Sequence, residues 1–430
     1  MEYIADLHVH SPFSRATSKE CSLSGLFAWA RMKGIQVVAT GDVTHPGWRR
    51  IIRDELVPAE PGLFRLRNEN IPAPIADAAP SPTPVRFLLS AEISCIYKRH
   101  GAVRKVHNLV YLPDLESAER FSRRLEGIGN LASDGRPILG LDSRDLLEMV
   151  LELAPEGFLV PAHIWTPWFS LFGSRSGFDT IEECFGDLTS HVFALETGLS
   201  SDPAMNRTVS GLDRFALISN SDCHSPAKLG REANRFATGF DFHSLRDALK
   251  ANSSDHFPGT IEFFPEEGKY HLDGHRECGI RLEPDETRRN LGICPVCGRP
   301  VTVGVLHRVQ ELADRTAPVI PVGAPGFLSL VPLAEIIAEL LSVGASSKKV
   351  QQQYGRLVSR FGSELDLLLK VGRVDLAAES PLLAEAVHRV RNGTIMHRGG
   401  YDGEYGVISL FAPGELSAGI EVFSGVRRRG

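Results

Sequence analysis

One theme, repeated along the first 265 residues, limits what this chain can fold into: a short apolar run that ends at or encloses a His, Asp or Glu. The runs are IQVVATGD ending at Asp42, RFLLSAE at Glu92, KVHNLVYL around His107, GFLVPAH at His163, HVFALE at Glu196 and RFALISNSD at Asp222. Amphipathic stretches lie between them. Leu23, Leu26, Phe27 and Ala30 share a face in Ser22 to Lys33, as do Leu146, Leu147, Val150 and Leu151 in Asp142 to Leu153, and Ser22 and Asp142 sit where helix N-caps belong. Strand alternating with helix predicts a parallel sheet, open or closed into a barrel. The polar residues then collect at the C-terminal strand ends, where the loops of a barrel build one active site.

The opening strand shows what that site holds. Side chains alternate along a strand, so Glu2, Ile4, Asp6, His8 and His10 share one face, and the Asp-x-His spacing recurs in Asp222 and His224. Imidazole with carboxylate suits zinc, manganese or iron, and sites of two such ions favour phosphoester chemistry.

At 430 residues the chain is long enough for two to four domains, and 43% apolar with 23% charged residues sets it apart from disordered chains. The net charge of -6 leaves no overall basic field, so a polyanion has to be gripped locally. MEYIADLHVH places acidic and His residues where a signal peptide needs an apolar core, and no apolar run approaches the ~20 residues that span a bilayer, so a cytoplasmic protein without a membrane partner is expected.

The Pro-rich stretch Ile71 to Pro84 reads as a surface loop. After Phe264 the composition changes. Residues 266–315 have too few apolar residues for a core but contain Cys294-Pro-Val-Cys297-Gly, a zinc-knuckle pattern, with Cys278 upstream and His275 completing a His-x2-Cys pair. His271 is the alternative fourth ligand. Lys269, Arg276, Arg281, Arg288, Arg289, Arg299, Arg308 and Arg315 make this stretch a candidate phosphate-contacting surface. Past Pro325 the pattern is helical, and in GASSKKV a Gly-containing turn enters a helix where Lys348 and Lys349 are placed to hold a phosphate. The insert from His163 to Asp187 contains Trp165, Trp168, Phe169, Phe172, Arg175 and Phe178. Its aromatics either stack on an extruded base or pack down onto the barrel rim.

These motifs carry a resemblance. DLHVHS, SAE, VHNLVY, PAH and SDCH occur in the order found in the PHP (polymerase and histidinol phosphatase) phosphoesterases, matching at His8, His10, Glu92, His107, His163, Asp222 and His224. GDVTHP stands where many members read Thr-Asp-His, so Asp42 or His45 is the matching ligand, and SPFSRATS offers Ser14, Arg15 and Ser18 where members with a full ligand set carry an acid or His. GDVTHPGW, PAHIWTPWFSLFGSRSGFDTIEECFGD, ALETGLSSDPAMN, ISNSDCHSPAKLGREAN, CPVCGRPVTVGVLHRVQELADR and GYDGEYG extend the likeness over nearly the whole chain to the endonuclease Q family, PHP-domain nucleases that nick DNA 5′ to deaminated bases.

The resemblance implies an α/β architecture: a distorted (β/α)7 barrel over 1–265, a zinc module over 266–315 and a mainly helical DNA-binding region over 316–430. It implies hydrolysis of a DNA phosphodiester beside uracil, hypoxanthine, xanthine or an abasic site, with His8, His10, Glu92 and Asp222 at the centre of the chemistry and Glu196 and Asp6 behind the ligands. Zinc is expected in the structural site and in the barrel, where manganese or magnesium would also serve. The implied partner is lesion-bearing DNA, double- or single-stranded, with a sliding clamp as a further candidate and the nucleoid as the place of work. Two rival functions are a small-molecule phosphatase of the histidinol-phosphate type, which gives no reason for the zinc module, and a non-catalytic DNA-binding protein, which would lack ligands.

Overall fold

The computed structural model describes residues 1–76, 78–80 and 82–429. All six apolar runs contribute strands. Glu2–Asp6 runs parallel to Val37–Ala39, and that strand runs parallel to Arg86–Arg99. Arg86–Arg99 then doubles back through His100 and Gly101, both with positive φ, into Ala102–Leu112, which pairs antiparallel with it and with Phe158–Pro161. Tight turns of that backbone sense match the twist of paired strands. Ala194–Glu196 and Ala216–Ile218 pair in parallel, and the ring closes where Leu7 N donates to Asn220 Oδ1 at 2.8 Å and Val9 bridges Cys223. The barrel sheet is therefore mixed, not parallel. The hairpin inserts one reversed strand, and Ala233–Ala237 joins Glu2–Asp6 antiparallel. His107 accordingly lies within its strand and not at the end, opposite Ser94 and diagonal to Glu92.

Ala5, Leu7, Val37, Leu88, Leu109, Val160, Ala194, Ala216 and Ile218 fill the barrel and are buried. Helices pack outside it. Leu23–Lys33 starts at Ser22, whose side chain accepts from Gly25 N, and stops at Gly34, whose φ of 87° ends the helix. Ser143–Leu153 starts at Asp142 in the same way. Burying Leu23, Leu26 and Phe27 stabilises the first of these by roughly 1.5–3 kcal/mol per side chain.

Beyond the barrel, Gly326–Ser329 adds to its sheet in parallel with Gly259–Glu262. Helices Leu333–Leu341, Lys348–Phe361, Glu364–Leu369, Arg373–Glu379 and Pro381–Arg391 follow. A buried carboxylate locks them to the barrel: Glu364 receives Lys33 Nζ at 2.7 Å, Tyr354 Oη at 2.6 Å and Leu333 N at 3.1 Å. The Pro-rich stretch, of which residues 77 and 81 lie outside the described residues, is irregular and drapes over Lys348–Phe361, with Ala79 N donating to Ser359 Oγ. Gly355 leaves room for it, since a Cβ there would come within 2.9 Å of Ile75.

The last part of the chain is not all helix. The hairpin of Met396–Arg398 with Val407–Ser409 folds back onto the zinc module, where Leu272 N donates to Gly400 O and Asp402 receives Arg276 N and Thr302 Oγ1, each of the last two at 2.7 Å. Among the described residues no helix is long and apolar enough to cross a membrane.

Candidate active site and zinc module

At the barrel mouth three triads overlap: His8, His10 and Glu92; Glu92, His107 and His163; His10, Asp222 and His224. Within each, the ligand-type atoms lie within 4.8 Å of one another. Glu92 joins the first two. Its Oε1 lies 2.6 Å from His107 Nδ1 and 3.2 Å from His163 Nε2, and its Oε2 lies 3.4 Å from His8 Nε2 and 3.3 Å from His10 Nε2. His10 joins the first and third, with Nε2 3.0 Å from Asp222 Oδ1.

The rings are held from behind. His8 Nδ1 lies 3.0 Å from Glu196 Oε1, and His10 Nδ1 lies 3.2 Å from Asp42 Oδ1. On the other side His8 Nε2 is buried and has no hydrogen-bond partner among the described residues. An imidazole fixed through one nitrogen, with the other buried, unpaired and facing carboxylates, fits a metal ligand. The donor set of His, Asp and Glu suits a divalent ion.

Asp42, His163 and Asp222 all have left-handed backbones, with φ of 48°, 30° and 45°. Such conformations persist only where the surroundings enforce them. Burial disfavours charge on His8, but Glu196, Asp222 and Glu92 outweigh it and raise its pKa well above the ordinary value. Burial dominates at His107 and lowers it to about 4, leaving a neutral ring. At Asp222 burial is outweighed by His8 and His10, which hold the carboxyl well below its ordinary range.

The second cluster lies in residues 266–315. His275, Cys278, Cys294 and Cys297 offer four ligand atoms within 4.8 Å of one another, the makings of a closed tetrahedral zinc site. The hairpin of Asp273–His275 with Ile280–Leu282 presents the first two, and the Cys-Pro-Val-Cys-Gly turn, with Gly298 at φ 72°, presents the others. Burial would raise the Cys294 thiol, but the amides of Cys297 and Val296 lower it to about 7, favouring thiolate. His271 is not in the cluster. It lines a separate cavity of about 430 Å³ beside Glu266 and His397.

The chain is similar to several known proteins. The sequence model of the MJ0043 C-terminal domain family matches residues 332–394. The protein MJ0043 of Methanocaldococcus jannaschii, itself uncharacterised, is 33% identical over 254 residues, which are 57% of this chain and 31% of that one, so the chain spans about a third of that relative's length. The structure of PfuEndoQ, a lesion-specific endonuclease from Pyrococcus furiosus, superposes with a TM-score of 0.82 at 32% identity over 95% of each chain. An Endonuclease Q bound to a 27-mer duplex with an abasic lesion at its active site superposes with a TM-score of 0.81 at 31% identity, over 95% of this chain and 96% of that one. The chain belongs to the endonuclease Q family.

Set against that family's resemblance, several expected roles change. Asp42 and His45 are alternatives in the sequence, and the structure makes neither a member of the triads. Asp42 Oδ1 faces His10, and Oδ2 receives Ser11 N at 2.7 Å, Ser11 Oγ at 2.6 Å and Ser14 Oγ at 2.9 Å, so it orients His10. His45 caps helix Pro46–Glu55, its Nδ1 accepting from Gly47 N and Trp48 N. Asp6, expected to point with His8 and His10, instead receives Ser221 N at 3.1 Å and Gly230 N at 2.9 Å.

Trp165 does not offer a face to DNA. It is 1% exposed, packs against Phe172 with tilted rings and donates Nε1 to Asn206 Oδ1 at 2.7 Å. Phe172 and Phe178 are buried too, so most of the insert packs onto the rim. Trp168 is 40% exposed, and half-buried Phe169 covers His107 with ring centroids 4.7 Å apart. Arg175 is exposed and reaches Val301 O, whereas Lys348 and Lys349 are exposed behind the capping Ser347. Of the Arg-rich surface, Arg308 is bound to Phe172 O, Phe178 O and Asp179, and Arg315 to Asp213. Both tie the module to the barrel.

The endonuclease Q centre also contains a residue that sequence reasoning missed. Arg136 Nη1 lies 3.2 Å from Glu92 Oε2.

Proposed function

We propose that this protein is a metal-dependent DNA repair endonuclease that hydrolyses the phosphodiester 5′ to a deaminated base or abasic site. The observation that carries the reading is the likeness, over 95% of both chains, to a lesion-specific endonuclease, with a barrel mouth equipped for divalent ions. The phosphatase rival is disfavoured by a zinc module and a C-terminal region that extend well past the barrel, and the non-catalytic rival by the three triads.

In this reading residues 1–265 form the catalytic barrel, 266–315 the zinc module and 316–430 the DNA-binding region. When bound, divalent ions would supply an activated water and offset the negative charge on the phosphoryl oxygens and the leaving oxygen. His8, His10, Glu92, His107, His163, Asp222 and His224 would hold them. Glu196 and Asp42 fix ring orientation. Asp222, 29% exposed at the mouth, is placed to orient the attacking water. Trp168, Phe169 and Arg175 on the rim, with Lys348 and Lys349, lie toward DNA. An enzyme of this kind works at the nucleoid, and a sliding clamp is the partner that would keep it on its substrate.

Purified protein with manganese, magnesium or zinc on labelled duplexes carrying single lesions tests the reading. A nick 5′ to uracil, hypoxanthine or an abasic site, absent from undamaged duplex and from Asp222→Asn, is expected. Rapid hydrolysis of small phosphomonoesters without lesion-dependent nicking would overturn it.

A further inference from the structure

Arg136 is a cation set among cation ligands. Its loop is fixed from several sides: Arg136 N donates to Asp134 Oδ1 at 3.1 Å, Gly135 N to Phe13 O at 3.0 Å and Ser94 N to Pro137 O at 3.0 Å. The loop also lies directly on the group that orients His10, since a Cβ at Gly135 would stand 2.4 Å from both Asp42 Oδ2 and Ser14 Oγ. The guanidinium therefore reaches Glu92 from a rigid support, and the side chain is 29% exposed.

For holding ions alone such a residue is a handicap, because it competes with them for Glu92. The charge count gives it a use. Four carboxylates, Glu92, Asp222, Asp42 and Glu196, surround the histidines. Divalent ions offset their charge, and Arg136 adds a further positive charge beside them, of the sign that attracts a phosphodiester. Guanidinium has five N–H donors in a planar fork, and among the described residues Glu92 alone accepts from it. The remaining donors have no acceptor among the described residues, and the side chain is partly exposed.

We propose that Arg136 is a catalytic residue that binds a non-bridging oxygen of the scissile phosphate. This rests on the nuclease reading. A bound phosphate oxygen completes the fork, and the contact stabilises the negative charge on the non-bridging oxygens in the transition state. Arg15, 81% exposed and paired with Asp134, lies further out and cannot replace it.

The test compares wild type, Arg136→Gln and Arg136→Lys by thermal melt, metal content per chain, affinity of the metal-loaded protein for inorganic phosphate, and single-turnover nicking of a lesion duplex. Arg136→Gln is expected to keep its melt and metal content, to bind phosphate at least tenfold more weakly, and to lose on the order of 10²–10³ in nicking rate, with Arg136→Lys recovering part of both. Metal loss in proportion to the rate loss would make Arg136 a support for Glu92 and overturn the proposal, as would unchanged phosphate affinity. A wild type that nicks no lesion would count against the nuclease reading, while the phosphate affinities would still decide the role of Arg136.

Discussion

Glu196 holds His8 by one nitrogen and leaves the other free among the described residues: His8 Nδ1 lies 3.0 Å from Glu196 Oε1, while Nε2 is buried without a hydrogen-bond partner there. The same carboxylate receives His163 N and Asn220 Nδ2, each at 2.8 Å. One side chain thus sets a ring orientation, positions a second ligand-bearing loop and closes the barrel between Ala194–Glu196 and its neighbours.

Glu196→Gln should therefore weaken ion binding without unfolding the barrel. The amide keeps the volume but loses the charge that favours a donating Nδ1 and a free Nε2 on His8. A fall of about 10–100-fold in barrel metal affinity is expected, measured by chelator competition. Unchanged affinity would show that His8 needs no carboxylate behind it.

A second acid sits deeper. Glu262 accepts from Ser219, Thr260 and Thr197, and Glu232, which receives Phe263 N, has a buried oxygen without a partner among the described residues. Burial raises Glu262 to about 8, and it raises Glu232 well above its ordinary value. Folded protein keeps protons that the unfolded chain releases near pH 4.5, so this contribution to stability is full below that pH and is lost as pH rises through about 8. Glu262→Gln should flatten the decline in stability between those limits. Denaturant melts across that range check it, and an unaltered slope would place the proton elsewhere.

How far the sequence could be read follows from the same residues. Apolar runs ending in ligand types were legible because barrel strands are covered on both faces, and a two-residue spacing brought His8 and His10 to one mouth. His45 was a decoy with a readable sign, since it immediately precedes Pro46 at the first turn of a helix and so occupies the capping position. Arg136 had no such sign: it is one of 47 cations, in a Gly-containing loop, and only the fold carries it to Glu92. GYDGEYG contains three glycines and could not be helix, but its docking on Leu272 and Arg276 is a contact made more than a hundred residues away.

At the zinc module Cys297→Ser should remove one tightly bound zinc per chain and leave the barrel ions in place. Leu282, Cys294 and Val301 form the whole of the buried apolar cluster there, too little to hold these hairpins without a metal. Native mass spectrometry reads the stoichiometry. Full retention of zinc would mean that this thiolate is not a ligand.

The two tryptophans of the insert should behave oppositely. Trp165 is 1% exposed and its indole N–H is bound to Asn206, so Trp165→Ala leaves a cavity and an unpaired amide and should cost about 3–5 kcal/mol of stability. Trp168 is 40% exposed, with its ring centroid 5.7 Å from that of Tyr270, so Trp168→Ala should change the melt little. If its outer face stacks on a base of the substrate, the same change should weaken binding of a lesion duplex by about 1–3 kcal/mol. Thermal melts and fluorescence anisotropy on both variants separate the roles. Equal DNA affinity in wild type and Trp168→Ala would remove this ring from the interface and leave contact on this insert to Phe169 and Arg175.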